Sequence, residues 1–422
     1  MGSRGGGQRK IAAQAVVSLP AMSLSKRAQA VSLSVTLALD ARAKALVDAG
    51  RDVINMSVGE PDFPAPASVQ EAACRKVRSG DVRYTPAAGA RALRKAIADH
   101  VGRVRKVEYA PEEVCVCHST KHALSGAVLS LVDPGDEVLL LLPAWVSYVE
   151  IVRIAGGAPI DVPSREDCGP DFDAIERAIT RKTKCVLLNS PSNPTGYVWT
   201  ADEVRRLVEL CERHGLWLLS DEIYQRLVYE GEPFASPVTV SPAARARTVV
   251  LDGASKSYAM TGYRIGFAAG PREVISGIER LHSHLVGAPN AVSQEAYLAA
   301  LIGQEPPEVA SMAAQFDARR RVLVDALREM GLSTPWPRGA FYAFPDVRAY
   351  LDERGTRGFC EDLLEQHNLA LVPGTAFGVD THVRLSYALS LEKIRGAMAR
   401  LSAFLEKHPL RAQALARGAA RR

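Results

Sequence analysis

The sequence has no long run of apolar residues. Its apolar segments all fall short of the ~20 residues that a membrane-spanning helix needs, so no membrane partner is expected. No G-x-G-x-x-G motif follows a predicted strand, which argues against a nicotinamide-dependent enzyme. Only about twenty residues precede the first predicted element, too few for a helix-turn-helix, so a fused DNA-binding module is not expected either.

Cysteine is sparse and forms no recognisable pairs. The seven cysteines are odd in number and contain no C-x-x-C motif: Cys74, Cys115, Cys117, Cys168, Cys185, Cys211 and Cys360. This usage favours reduced thiols in a cytoplasmic protein, and no zinc or other metal site is predicted. Arg4, Arg9 and Lys10 precede an apolar run that weakly resembles a signal peptide, but Gln14 interrupts it, so secretion is the less favoured alternative.

The positive charge is concentrated at the two ends of the chain. Residues 1–20 carry three basic residues and no acid, and residues 409–422 carry four and no acid. The net charge of +5 less these seven leaves −2 for the remainder. Segments 1–22 and 406–422 are therefore interpreted as a disordered N-terminal tail and a basic C-terminal tail, and no nucleic-acid-binding face is expected.

The length and the order of the predicted elements indicate an α/β protein of two domains. A chain of 422 residues is long for one core. Apolar strands alternate with helices from residue 114 to 267, which predicts a mostly parallel sheet with helices on both faces and a ligand at the carboxyl ends of its strands. Further strands are expected at 339–344, 369–377 and 383–387, in a smaller α+β domain.

The stretch from Leu251 to Phe267 carries the first chemical signal. Lys256 lies among small and apolar residues, where burial would make a neutral, nucleophilic amine accessible. Arg264, eight residues later, offers a planar fork of donors suited to a phosphate. The pair suggests a phosphorylated aldehyde, pyridoxal 5'-phosphate (PLP). Taken alone, the stretch fits equally well a lysine at a strand edge and an arginine paired with a surface acid.

Two further strand ends supply complementary groups. A strand at 114–117 stops at Ser119 and Thr120, and a helix follows, an arrangement that points backbone N–H groups at an anion but that a simple helix cap also explains. Trp145 follows the strand 137–143 and could stack on a planar cofactor, although most tryptophans are simply core residues.

Two more strands end in polar groups. Asn193, in a loop fixed by Pro194 and Gly196, could donate to a phenolate oxygen. Asp221 ends an apolar strand, where an unpaired carboxylate is costly unless a pyridinium N–H pairs with it. Tyr224, three residues later, could donate to the phenolate as well.

These motifs together resemble those of the class I aminotransferases of fold type I, close to the bacterial aspartate aminotransferase branch, over about 23–405. The resemblance implies PLP on Lys256, with Lys256, Asp221 and Tyr224 as the catalytic residues. It implies further cofactor contacts from Ser119, Thr120, Trp145, Asn193 and Arg264. It also implies that Tyr84 reaches the cofactor phosphate of a second subunit, so that the protein is a homodimer with its active site at the interface. Tyr84 could equally be a packing residue.

The resemblance also implies a substrate site. Its members are Gly59, Thr36, Lys121, Trp145, Asn193 and Arg384, and Arg384 clamps the α-carboxylate. The alternatives are a simple turn glycine at Gly59 and an internal salt bridge for Arg384. Thr36 and Lys121 match positions that hold a distal carboxylate in aspartate-using relatives. However, segment 285–288 is apolar where those relatives carry Ser and Thr, and Ser32 replaces a lysine of relatives that accept prephenate.

The expected protein is an aminotransferase that moves an amino group between an aspartate-like or aromatic amino acid and a 2-oxo acid such as 2-oxoglutarate, by a ping-pong mechanism. Its large PLP-binding domain should span 65–307, and its small domain should combine 23–64 with 308–405. A PLP-dependent lyase or cyclase on the same scaffold is the main alternative. A non-catalytic effector-binding domain is a weaker one, since the chain has no room for the DNA-binding module that usually accompanies it.

Overall fold

The computed structural model describes Gly2 and residues 24–33 and 35–408. The predicted N-terminal tail lies outside these residues except for Gly2, as does the predicted C-terminal tail from residue 409 onwards. The last helix continues to Lys407, two residues into the predicted C-terminal tail. No helix in the described part of the chain is long and apolar enough to cross a membrane.

The elements of the described chain alternate as the sequence predicts between 114 and 267. The strands are β1 (Ile54–Asn55), β2 (Val114–Cys117), β3 (Glu137–Leu141), β4 (Ala158–Val162), β5 (Thr183–Asn189), β6 (Trp217–Asp221), β7 (Thr248–Gly253), β8 (Gly266–Ala269), β9 (Tyr342–Ala343), β10 (Leu369–Ala370), β11 (Val372–Pro373) and β12 (Val383–Ser386). The α-helices are α1 (Lys26–Ala30), α2 (Val35–Asp48), α3 (Ala67–Arg78), α4 (Arg91–Arg105), α5 (Thr120–Leu131), α6 (Ser147–Ala155), α7 (Phe172–Ala178), α8 (Ala201–His214), α9 (Pro242–Arg245), α10 (Ala254–Ser257), α11 (Arg272–Leu285), α12 (Ala291–Leu301), α13 (Pro307–Glu329), α14 (Gly355–His367) and α15 (Leu391–Lys407).

Local sequence explains the helix boundaries well, and α8 is the clearest case. The Thr200 hydroxyl accepts a hydrogen bond from the backbone N–H of Glu203 at 3.2 Å, and the Glu203 carboxylate accepts from the N–H of Thr200 at 2.9 Å. This capping box satisfies two N–H groups that a helix start leaves free. Gly215 ends the helix in the left-handed region, at φ 67°.

The seven-stranded sheet has the order β2-β8-β7-β6-β5-β3-β4. Neighbours from β4 to β7 run parallel, and β8 is antiparallel to both β7 and β2. In the register of the central strands, Asn189 lies opposite Asp221 and Asp221 opposite Leu251, so three strands end at almost the same level. Polar residues at these ends therefore share one edge of the sheet.

The remaining strands form two small sheets from the two ends of the chain. β1 pairs in parallel with β10, and β12 lies between β11 and β9 in an antiparallel sheet. Helices α13 and α15 pack over them in one hydrophobic cluster. The division into a domain of residues 65–307 and one of 23–64 with 308–405 stays a prediction.

Candidate active site

A cavity of about 440 Å³ lies at the carboxyl ends of β5, β6 and β7. It brings together every predicted site residue except Tyr84. Those that line it are Thr36, Gly59, Ser119, Thr120, Lys121, Trp145, Asn193, Asp221, Tyr224, Lys256, Arg264 and Arg384. They come from both the large sheet and the small sheets, so the cavity lies between the two.

Lys256 lies on the short helix α10 that follows β7. Its ammonium donates a hydrogen bond to the backbone carbonyl of Gly59. Burial lowers the pKa of Lys256 to about 8, against the opposing effect of Glu60, and the cations of Arg264 and Arg384 lower it further. About a tenth of the amine is therefore neutral at pH 7, and the neutral form is the one that a nucleophile or a base requires.

Asp221 is the last residue of β6 and is buried. The Tyr148 hydroxyl donates to its Oδ2 at 2.7 Å, and the N–H of Ile223 donates to Oδ1 at 3.3 Å. Burial raises the pKa of Asp221 to about 6, although the hydrogen bond from Tyr148 acts in the opposite direction. A carboxylate held in this way would be stabilised by a cationic N–H donor in the cavity.

The turn between β2 and α5 has the features of an anion site. Ser119 has φ 100°, outside the range that L-residues usually adopt, and its side chain makes no capping bond to the helix. The Thr120 hydroxyl is buried and has no hydrogen-bond partner among the described residues. A Cβ at Gly266 would lie 2.4 Å from the Thr120 nitrogen, so only glycine allows β8 to pass beneath this turn. Helix-start amides and an unused hydroxyl are what a phosphate needs, which favours the anion-site interpretation over a simple helix cap.

Arg264 lies beside this turn in the left-handed region, at φ 53°. Its Nη1 donates to the Thr261 carbonyl at 2.8 Å, and none of the described acids pairs with it. The alternative in which Arg264 pairs with a surface acid is therefore not what the described structure contains. A backbone conformation costing about 1 kcal/mol or more is typical of residues held for function.

At the other end of the cavity, Arg384 is buried on β12. It donates to the Asn193 side-chain oxygen at 2.9 Å and to the Ser57 carbonyl at 2.6 Å, and its guanidinium lies 4.5 Å from the ring centre of Tyr342. Its Nε has no partner, and no ion pair to Arg384 occurs among the described residues. The predicted alternative, an internal salt bridge, is thus absent there. A buried guanidinium without an anion is costly, so the site favours a carboxylate ligand.

Asn193 and Tyr224 face the middle of the cavity. Because the Asn193 oxygen already accepts from Arg384, its amide N–H groups remain as donors. The Asn193 backbone N–H donates to Asn189 at 2.8 Å, which fixes the loop to the end of β5. The Tyr224 hydroxyl lies 2.9 Å from that of Tyr342, and burial raises the pKa of Tyr224, so it stays protonated and able to donate.

Trp145 and Lys121 form the wall beside α5. The Trp145 ring packs edge-on against Tyr148, with ring centres 5.4 Å apart, and the Lys121 ammonium lies 4.7 Å from the centre of the Trp145 ring. Burial, with a smaller contribution from Arg264, lowers the pKa of Lys121, although the residue as a whole is still exposed. This position suits a contact with a substrate carboxylate, and it equally suits a lysine that extends to solvent.

Gly59 and Tyr84 differ in how the structure accounts for them. A Cβ at Gly59 would lie 2.8 Å from the Tyr342 hydroxyl, so close packing explains this glycine better than a simple turn does. Tyr84 is 98% exposed and lies outside the cavity. Such exposure is unusual for a packing residue within its own chain, and it is what a residue that reaches a second subunit would show.

Sequence reasoning missed several residues of the cavity. Tyr148, which contacts Asp221, and Tyr342, which contacts Tyr224, are the most important. Glu60 also lines the cavity and acts on the pKa of Lys256. A tyrosine three residues after Trp145 and another inside a predicted strand gave weak signals, but nothing local in either pattern indicates its partner.

The arrangement has a definite chemical capacity. One cavity is lined by a lysine of lowered pKa, a buried carboxylate, the anion-site turn and a buried guanidinium. These groups suit a phosphorylated aldehyde cofactor together with a substrate that carries an amino group and a carboxylate.

Comparison with known proteins finds relatives that match almost the whole chain. The sequence profile of the family described as aminotransferase class I and II matches residues 51–401. The chain is 42% identical to an aspartate aminotransferase of Geobacillus stearothermophilus over 391 residues, 91% of this chain and 99% of that one. It is also 42% identical to an aspartate/prephenate aminotransferase of Thermus thermophilus, over 90% of this chain and 98% of that protein.

The fold comparison gives the same result. The structure of a Thermus thermophilus aspartate aminotransferase with maleate superposes with a TM-score of 0.87 at 41% identity, covering 90% of this chain and 99% of that one. The predicted fold type I architecture is confirmed, with a mostly parallel sheet of seven strands flanked by helices. The profile and the relatives cover almost the whole chain at well over 30% identity, and the chain therefore belongs to the aminotransferase class I and II family.

Proposed function

We propose that this aminotransferase binds PLP covalently on Lys256 and transfers an amino group between an amino acid and a 2-oxo acid such as 2-oxoglutarate by a ping-pong mechanism. The observation that carries the proposal is the single cavity in which Lys256 lies between an anion site and the unpaired Arg384. A lyase or cyclase would share Lys256 and Asp221 but would need no second 2-oxo acid.

The residues present fit PLP. Ser119, Thr120 and Arg264 would hold its phosphate, and the unused Thr120 hydroxyl supports this assignment. Asp221 would pair with the ring nitrogen, and Trp145 would cover the ring. When bound, PLP supplies an aldehyde for the lysine and a ring that accepts electrons from the substrate Cα.

Side chains of the protein itself would carry out the proton transfer and hold the cofactor and the substrate in place. Lys256, with its pKa lowered to about 8, would take the proton from the substrate Cα and return it. Tyr224 and the Asn193 amide would donate to the phenolate oxygen of the cofactor. Arg384 would clamp the substrate α-carboxylate with two parallel hydrogen bonds, which fixes the Cα–H bond relative to Lys256.

The substrate class follows from the wall that contains Thr36 and Lys121. Both line the cavity, and a lysine there favours a donor with a second carboxylate. The relatives named for aspartate, and the relative solved with the dicarboxylate maleate, support an aspartate-like donor. Against strict acidic specificity stand the apolar segment 285–288 and Ser32, whose backbone N–H donates to Glu150 at 3.3 Å. An aromatic donor therefore remains the second candidate.

A panel of amino acids and 2-oxo acids tests the activity and the donor together. We expect aspartate or an aromatic amino acid to give its 2-oxo acid only while 2-oxoglutarate or a similar acceptor is present, with parallel-line kinetics. Steady product formation without any 2-oxo acid would instead indicate the lyase or cyclase alternative.

We also propose a homodimer in the cytoplasm, in which Tyr84 contributes to the partner's site. Its support is the exposure of Tyr84 at 98% together with the exposed apolar residues Leu285 and Val286. The seven unpaired thiols are consistent with a reducing compartment.

Mixed dimers provide a direct test. In a dimer of one Lys256→Ala subunit and one Tyr84→Phe subunit, the second subunit's Lys256 meets the tyrosine that the first subunit has kept. We expect that site to retain PLP as wild type does, whereas Tyr84→Phe homodimers retain it more weakly. Retention in the mixed dimer equal to that of the Tyr84→Phe homodimer would exclude the shared site.

A further inference from the structure

A cluster of sulfur and imidazole groups lies outside the cavity, between β2 and two helices. Cys115 and Cys117 alternate along β2 and therefore point to the same face of the strand. Val114 and Val116 contribute to the hydrophobic core on the opposite face, whereas both cysteines face the core that α5 and α11 cover.

His282 of α11 completes the cluster. It is 1% exposed, and its Nε2 is buried without a hydrogen-bond partner among the described residues. Its Nδ1 lies 4.0 Å from the Cys115 sulfur. One ligand atom from each of Cys115, Cys117 and His282 can be chosen so that all three lie within 4.8 Å of one another.

Apolar packing of the two cysteines does not explain why the histidine is buried beside them. Free cysteines often pack as small apolar residues, and the two thiols make only long contacts of 3.8 and 3.7 Å to the carbonyls of Val116 and Cys115. An imidazole nitrogen without a partner in such a core costs free energy, because buried polar atoms are nearly always hydrogen-bonded. Of the two ring nitrogens, Nε2 has no partner and Nδ1, which faces the Cys115 sulfur, has only that 4.0 Å contact, so the described residues give the imidazole no close hydrogen bond.

We propose that Cys115, Cys117 and His282 form a buried binding site for one thiophilic metal ion, with zinc as the expected occupant. Zinc binds cysteine sulfur at ~2.3 Å and histidine nitrogen at ~2.0–2.1 Å, so tetrahedral ligands lie roughly 3.5–3.8 Å apart. The sulfur and nitrogen of Cys115 and His282 are 4.0 Å apart and all three ligand atoms lie within 4.8 Å of one another, so binding requires the ligands to contract by up to about 1 Å.

Charge balance favours the same occupant. On binding, each thiol releases a proton to solvent and each sulfur donates an electron pair to Zn²⁺, so two thiolates and one dication give a neutral centre. A neutral centre with a neutral imidazole avoids the cost of burying net charge. Harder cations such as Mg²⁺ prefer oxygen ligands, which this cluster does not offer.

Two further histidines pack against His282. The rings of His118 and His122 lie 5.8 and 4.8 Å from that of His282, measured between ring centres, and both residues are only partly buried. His122 is the nearest candidate for a fourth ligand, and its Nδ1 accepts from the backbone N–H of His118 at 3.3 Å.

The site would act on the predicted phosphate turn. Cys117 is the last residue of β2, and Ser119 and Thr120 follow after one residue. A metal ion that joins the end of β2 to α11 would hold this turn in place. We therefore expect bound zinc to slow the loss of PLP as well, an effect that rests on the proposed function, whereas metal binding itself does not.

The test is metal content of the full-length holoenzyme, purified without a polyhistidine tag. After incubation with zinc and dialysis against a weak chelator, we expect about one zinc ion per chain. Cys117→Ser and His282→Asn should weaken zinc binding by more than the roughly 10–100-fold that loss of an outer-shell partner costs. Cys211→Ser removes another buried thiol, and Cys74→Ser removes the exposed one, so both controls should keep the ion.

The absorption spectrum of bound cobalt provides a second test on the wild-type protein. Co²⁺ in the wild-type protein should give the near-ultraviolet charge-transfer absorption of a thiolate complex, which Cys211→Ser keeps. If Cys117→Ser does not fold, His282→Asn and the wild-type cobalt spectrum still decide the matter. The proposal is overturned if folded wild-type protein binds neither ion, or if His282→Asn retains zinc as Cys211→Ser does. Binding of Cu⁺ but not of Zn²⁺ would overturn the zinc assignment.

Discussion

Two neighbouring regions bury charged residues in opposite ways. Behind the sheet, Arg105 at the end of α4 is fully buried; its Nε donates to Glu222 at 2.6 Å and its Nη2 to Asp252 at 3.0 Å. In the cavity, Asp221 and Arg384 are buried as well and Lys256 is partly buried, but among the described residues none of them has an ion-pair partner. Asp221 and Glu222 are consecutive residues, so one step along the chain separates the two arrangements.

The hydrogen bonds around the charged groups also differ between the two regions. Glu222 also accepts from the hydroxyls of Ser220 at 2.8 Å and Ser236 at 2.6 Å, and Asp252 accepts from the N–H of Gly253 at 2.7 Å. In the cavity, the Thr120 hydroxyl and the Arg384 Nε have no partner among the described residues; Nη1 of Arg105 has none either, so the contrast lies in the ion pairs and in the acids that accept these bonds. Charges that the chain satisfies itself stabilise the fold, whereas charges that it leaves unsatisfied are held for ligands.

Lys256→Ala removes one of the charged groups that the cavity holds for a ligand, and it should have the largest effect on activity. It removes both the covalent attachment of PLP and the base, so we expect kcat to fall by about 10⁴-fold or more, the upper end for general-base removal. The variant should also lose the borohydride-reducible cofactor adduct. Lys95→Ala, on an exposed surface pair with Asp99, serves as control. An adduct that persists in Lys256→Ala would refute the assignment.

Arg105→Met removes the buried cation that pairs with Glu222 and Asp252. It leaves two buried acids without their cation, which typically costs about 3–5 kcal/mol of unfolding free energy. Urea unfolding measures this loss. Arg205→Met, which removes two exposed helical pairs, to Asp202 and Glu209, should cost no more than about 1 kcal/mol. Equal stability of the two variants would show that the buried group is not structural.

Asp221→Asn tests whether a single unpaired carboxylate supports turnover. An amide cannot hold the cofactor ring nitrogen protonated, so we expect kcat to fall roughly 10²–10³-fold, as for other lost electrostatic partners. Since Asn keeps the shape and can still accept from Tyr148, the fold and the bound PLP should persist. Near-normal turnover with PLP bound would exclude this role.

The pH dependence of stability sharpens the comparison for Lys256. In cofactor-free protein its pKa is lowered to about 8, whereas an unfolded lysine has a pKa of about 10.4. The unfolded chain therefore binds the proton more tightly than the folded protein does. Below pH 8 this lowers the free energy of unfolding of the wild type by up to about 3 kcal/mol, and the loss disappears as the pH rises to about 10.5. The stability advantage of Lys256→Met over wild type should narrow across this window in urea unfolding. A gap that stays constant with pH would contradict the lowered pKa.

Lys121→Ala addresses the edge of the cavity and should have the smallest effect. If Lys121 meets a distal carboxylate, the variant should weaken kcat/KM for aspartate and glutamate by about 1.5–3 kcal/mol and leave phenylalanine almost unchanged. If the ammonium only stacks on Trp145 and extends to solvent, both substrates should respond alike. Equal losses on aspartate and phenylalanine would remove Lys121 from the specificity site.

The chemistry of the cavity could be predicted from the sequence because it is encoded at strand ends. Asp221 and Asn193 follow apolar strands, and the carboxyl ends of parallel strands meet at one edge of a sheet. The bounds of α8 also follow from local signals, a capping box at its start and a glycine at its end. The strands predicted at 339–344 and 369–377 shrink to two-residue pairs, because strand length depends on the partner and not on the segment alone.

By itself the sequence determined which groups are present and at which strand and helix ends they lie, since those signals depend on residues a few positions apart. Only the tertiary structure decided which distant groups meet. Tyr148 reaches Asp221 across 73 positions, and His282 reaches Cys115 across 167. Such contacts follow from strand register and helix packing, which bring into contact residues that no local pattern relates.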